Sequence, residues 1–64
     1  MEYRIVVKGH IDMKWSEWFS GLSIYHDNDL TILKGLLLDQ SAVYGVLLHL
    51  RDLNMTLLSI EKLS

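Results

Sequence analysis

The sequence predicts an α+β fold: about four mainly antiparallel strands packed against one long helix, in the order β, short α, β, β, α, β. Three observations predict it. Apolar and polar residues alternate over residues 3–11. Residues 39–54 (DQSAVYGVLLHLRDLN) carry a helix start signal, an apolar stripe and a stop signal together. Asp27, Asn28 and Asp29 put strong turn chemistry between two apolar runs, the mark of a hairpin.

The first strand covers residues 3–11. Tyr3, Ile5, Val7 and Ile11 face one way; Arg4, Lys8 and His10 face the other, with Val6 the one apolar residue among them. Gly9 marks a bend near the strand's end. In residues 12–19 (DMKWSEWF) the period changes: Trp15, Trp18, Phe19 and Leu22 are spaced as on a helix, with Asp12 as its cap and Ser20-Gly21 as its stop. The second strand covers residues 22–26, with Leu22 and Ile24 inward and Ser23 and Tyr25 outward. The third covers residues 31–38, with Leu33, Gly35 and Leu37 inward and Ile32, Lys34 and Leu36 outward.

The long helix follows. Asp39 can accept hydrogen bonds from the free N–H groups of the first turn. Val43, Val46, Leu47, Leu50 and Leu53 fall on one face, with Ala42 at its edge. Arg51 in the last turn complements the helix dipole. Asn54 tolerates the left-handed conformation needed just past a helix end. Tyr44 and Leu48 lie off the stripe, one turn apart, and form a second, smaller apolar strip. The fourth strand covers residues 55–63, with Leu58 and Ile60 inward, Ser59 and Glu61 outward, and Leu57 an apolar residue on the outer side. A helix about 10 Å wide covers only two or three strands spaced nearly 5 Å apart. The tryptophan segment therefore either caps the remainder or lies at an interface. Whether the connection through the helix is a parallel crossover or an antiparallel return is open at this level.

With 64 residues the chain is one domain, residues 1–64. A chain of this size buries only about 60% of its unfolded surface, so its core is marginal. There are no cysteines, which excludes disulfides and thiolate metal sites. The start, MEYRIVV, has no signal-peptide pattern, and no apolar stretch approaches the roughly 20 residues of a membrane span. The expectation is a soluble, cytoplasmic protein without a membrane partner. Half of the residues are hydrophobic and the mean hydropathy is +0.20, high for so small an interior. The net charge of −2 gives no general reason to expect nucleic acid.

Residues 9–24 (GHIDMKWSEWFSGLSI) and 39–61 (DQSAVYGVLLHLRDLNMTLLSIE) resemble a family of short, uncharacterised prokaryotic proteins. Its pattern is close to G-x-L-D-x-x-W-x-x-W-F-x-G-L, a middle hairpin, then D-Q-x-A-L-x-G-L-L-x-x-L-R-D-L-G-L-x-L-L-S-V. The resemblance covers nearly the whole chain. Asn54 stands where the pattern has glycine; both residues suit a helix C-cap. The resemblance supports the coherence of the fold and implies no activity.

Catalytic and metal signatures are weak. His10, His26 and His49 lie on three different elements, without the helical spacing of a zinc motif. His49 and Asp52 are three apart on the helix, a spacing more common in surface contacts. The 27–29 triplet lacks the glycine and glutamate of a calcium loop. Ser16 and Ser41 stand beside acidic residues as helix-start residues, without a G-x-S-x-G turn, and the four glycines are isolated. The expectation is a non-enzyme with no cofactor, no metal and no catalytic residue.

Two functional readings remain. The first is self-association as a two-fold homodimer, or docking on another protein. Its candidate contacts are Tyr44 and Leu48 on the helix, Trp15 and Trp18, and Val6 and Leu36 on the outer sheet face. The alternative is nucleic-acid binding through Arg4, Lys8 and His10 on one face of the first strand. Lys34 would extend that face and Tyr25 could stack on a base.

Overall fold

The structure is a computed structural model and describes residues 1–64. Its elements are β1 (Glu2–Lys8), two single 3-10 turns (Met13–Trp15 and Glu17–Phe19), β2 (Ser23–Asp27), β3 (Leu30–Leu36), α1 (Gln40–Asp52) and β4 (Thr56–Lys62). The strands form one sheet in the order β2-β3-β1-β4, and every neighbouring pair is antiparallel. The α+β class and the element order expected from the sequence hold. The strand order, left open by the sequence, is settled. β3 and β4 both run antiparallel to β1, so they run parallel to each other with β1 between them, and α1 carries the chain across β1.

Alternation decides which side of each strand is buried. Ile5 and Val7 of β1, Ile24 of β2 and Leu33 of β3 are buried on the helix side. Val43, Val46 and Leu50 of α1 meet them, and Ile11, Phe19, Leu22 and Leu37 complete one core of 11 residues. Leu47, Leu53 and Ala42 pack at its margin, as the helical stripe requires. Both helix caps match the sequence signals. The Asp39 carboxylate accepts from Ala42 N–H at 2.9 Å. At the other end Asn54 N–H donates to Arg51 O and Met55 N–H to Leu50 O, with Asn54 at φ 60°. That pair of bonds is a Schellman closure, and Met55 packs against the core beside Leu50.

Three expectations need correction. β1 ends at Lys8, before Ile11, because Gly9 takes φ 106° and turns the chain out of the sheet. Residues 12–19 do not form an α-helix. Two 3-10 turns bring Phe19 to the core and leave Trp18 half-buried, which satisfies the same i, i+3 spacing with three residues per turn. In β4 the register against β1 shifts between Val6 and Val7, so Val6 pairs with Ser59 but Val7 with Leu57. Leu58 is the extra residue of a bulge. Leu57 therefore shares the helix side with Val7 instead of the outer face, because one inserted residue reverses every facing beyond it.

Thr31 is the single fully buried polar side chain. Its hydroxyl donates to Gly9 O at 2.6 Å and accepts from Ile11 N–H at 3.1 Å. The turn that leaves β1 is thereby fastened to β3. No helix is long and apolar enough to cross a membrane.

Candidate interaction surface

β4 is an edge strand, and all seven of its residues are exposed. The cause is the width of the covering layer. One helix covers only two or three strands, and α1 touches the edge strand too little to bury it. Ile60 pairs with Ile5 and Leu57 with Val7, so both lie on the helix side of the sheet. Their partners are fully buried, yet Leu57 is 43% exposed, Ile60 40% and the bulge residue Leu58 51%. These three residues look inward and are only about half covered.

The helix contributes the rest of this surface. At about 100° per residue, Leu47 lies roughly 70° from the middle of the buried face, Tyr44 roughly 130° and Leu48 roughly 170°. His49 leaves by the opposite flank, where its ring stacks on Trp18 at 4.0 Å and meets Phe19 edge-on. The 3-10 segment lies toward β2. Leu47 and Tyr44 therefore turn toward the β4 side, while Leu48 points almost straight away from the sheet. Tyr44 and Leu48 are both exposed, and Tyr44 Oη accepts from the Gln40 side-chain amide at 3.3 Å.

The six interface candidates from the sequence fall on three separate surfaces. Tyr44 and Leu48 crown the helix. Trp15 stacks on Trp18 at 5.2 Å, and Lys14 Nζ lies 5.6 Å from the Trp15 ring centre. Trp18 packs against the core, so Trp15 is the more open member of the pair. Val6 and Leu36 lie on the outer sheet face, where Val6 is half-buried beside Ile32 and Leu36 is 72% exposed. Leu57, Leu58 and Ile60 were not singled out by sequence reasoning. By alternation Leu58 and Ile60 read as core residues and Leu57 as an outward one; only the strand order and the register shift show all three at a half-open edge.

The basic residues are also divided. Arg4 and Lys34 are cross-strand partners on the outer face, and Lys8 lies on the same face two rows away. Tyr25, Ile32, Val6 and Ser59 form the row between them. Arg4 faces Glu61 across the β1–β4 ladder at 3.9 Å, and Asp27 closes the row that holds Lys8. His10 does not join this face. After Gly9 it turns away and packs on His26, ring centres 4.9 Å apart. His10 Nε2–H donates to Asn28 O and His26 Nε2–H to Ile11 O, so both histidines act as turn braces.

No group of three or more metal-binding side chains comes together. His49 lies apart from the other two histidines, and its Nδ1 is buried without a hydrogen-bond partner. A shallow cleft of about 270 Å³ opens between His10, Asp12, Lys14, Trp15, Leu53 and Met55. It lies just under the usual size of a small-molecule site and is widely open to solvent.

Comparison with curated proteins and comparison with solved structures each return no match. Residues 2–61 match one family, so almost the whole of the sheet and all of the helix fall within it. The chain belongs to DUF8691, a domain of unknown function.

Proposed function

We propose that this chain is a non-catalytic protein that acts through self-association, as a homodimer. The observation that supports this reading is β4: a sheet strand with three apolar residues turned to the core side, each left about half exposed. Each such residue costs roughly 1 kcal/mol in lost burial if it stays half in water. In a domain this small that total, about 3 kcal/mol, is a large share of its stability. A second chain placed there would recover it. Gel filtration with light scattering tests the reading. A two-chain mass at hundreds of micromolar, falling toward one chain on dilution, is the expected result. A single-chain mass throughout removes the proposal.

A second reading is nucleic-acid binding on the outer sheet face. It draws on the Arg4 and Lys34 pair with Tyr25 exposed in the adjoining row. Glu61 and Asp27 on the same face weaken it. Titration with short RNA or single-stranded DNA at low salt decides it: binding would weaken steeply as salt rises. No binding at low salt removes this reading.

A further inference from the structure

We infer that the partner seated on β4 is a second copy of this chain, added edge to edge about a two-fold axis, so that two four-stranded sheets become one of eight. This rests on the self-association reading and gives it a site. The first support is the backbone. Leu63 N–H donates to Glu2 O, so the alternate residues Glu61 and Ser59 turn their backbone groups to β1. Those of Ile60 and Lys62 then point out of the edge, free to pair with another strand. An edge strand with free N–H and C=O groups and apolar side chains is a template for strand addition.

The second support is charge and register. In an antiparallel pair of β4 strands centred on Ser59 or Ile60, Glu61 lies opposite Leu57 or Ser59, and Lys62 opposite Thr56 or Leu58. Shifting the centre one residue further along would set Glu61 against its own copy, and one more would do so for Lys62. Like charges directly opposed are unfavourable, so the sequence selects the central registers. These bring Leu58 and Ile60 of the two copies together on the helix side, under the Leu47 and Tyr44 flanks of two helices.

The third support is area and closure. A flank of a molecule measuring 28 × 21 × 20 Å offers at most roughly 500 Å² per copy. The total near 1,000 Å² sits at the lower bound of specific interfaces and fits a micromolar dimer. The bulge at Leu58 shifts the β1–β4 register by one residue, and pairing resumes at Leu57. The opposite edge, β2, has the Met13–Trp15 turn against it. Pairing of β4 with β4 uses one edge of each copy and closes, whereas β4 on β2 would run on into fibres.

The test is amide hydrogen exchange by NMR on the unaltered protein, at about 1 mM and about 10 µM, to bracket a micromolar constant. It is run beside light scattering of the wild type, Ile60→Lys and Leu36→Lys. The expected result is exchange at Ile60 and Lys62 slowed at least tenfold at the high concentration, with β2 amides unchanged. Ile60→Lys should weaken dimerisation at least tenfold and Leu36→Lys should not. A dimer whose Ile60 and Lys62 amides ignore concentration, or one that Leu36→Lys breaks, overturns the β4 contact but leaves self-association standing. A monomer at both concentrations overturns both. Because the exchange arm needs no substitution, a variant that fails to fold does not decide the outcome.

Discussion

Replacing Thr31 by valine should destabilise the fold by about 2 kcal/mol, although the two side chains have nearly the same shape. Thr31 is fully buried, and its hydroxyl holds both Gly9 O and Ile11 N–H. Valine leaves the buried Ile11 N–H without a partner, a loss of about 1–3 kcal/mol. Gly9 O is only partly buried and can turn to water, so its loss is smaller. The added methyl recovers less than about 1 kcal/mol. A 64-residue domain has roughly 3–10 kcal/mol of stability, so 2 kcal/mol is a large share. It corresponds to a fall in Tm of about 10 °C. Urea unfolding followed by tryptophan fluorescence at low protein concentration measures it, because Trp15 and Trp18 report on the segment beside the core. Thr31→Ser is the control: it keeps the hydroxyl, loses one methyl, and should cost only about 1 kcal/mol. If Thr31→Val matches the wild type within about 0.5 kcal/mol, or is more stable than Thr31→Ser, the bridging role is wrong.

Gly35→Ala should destabilise by about 1–3 kcal/mol in the same assay, because Gly35 sits at φ 156° and a Cβ there would lie 3.1 Å from Leu22 Cδ2. Asn54→Gly should stabilise by about 0.5–1 kcal/mol, since Asn54 holds φ 60° at the helix end and glycine takes that conformation without strain. His49→Phe should be neutral or slightly stabilising by thermal melt. It keeps a ring stacked on Trp18 and removes the unpartnered Nδ1, so a loss above about 1 kcal/mol would show that the nitrogen has a role.

Local signals in the sequence carried most of the fold. Asp39, the Val43/Val46/Leu50 stripe and Asn54 each act within one or two helical turns, and each stands where its chemistry places it. The same is true of the hairpin at Asn28, whose φ of 57° is the conformation a tight turn demands. What escaped is non-local. The facing of Leu57 depends on a register shift against Val7, a residue 50 positions away. The separation of His10 from Arg4 and Lys8 depends on φ at Gly9 and on a ring offered by His26 from another strand. Thr31 in isolation is an ordinary strand residue; its importance comes from a turn 20 residues earlier. The candidate surface was half legible. Tyr44 and Leu48 followed from helical angles, but Leu58 and Ile60 alternate as core residues do, Leu57 reads as an outward one, and only the position of β4 at the edge leaves all three half open.

The place of β1 in the sheet sets a timetable for folding. It is the first strand to be made and lies second from the edge, between β3 and β4. Tyr3 meets Gly35 on one side and Lys62 on the other. About 30 further residues must therefore be made before β1 finds its first partner, and about 60 before it finds the second. Until then Ile5 and Val7 have no finished layer to enter, and the helix has only part of a sheet to lie on. Pairings this distant along the chain slow the closing step, because a long loop must be restrained before any contact rewards it. The strand that emerges first is the one that waits longest to be complete.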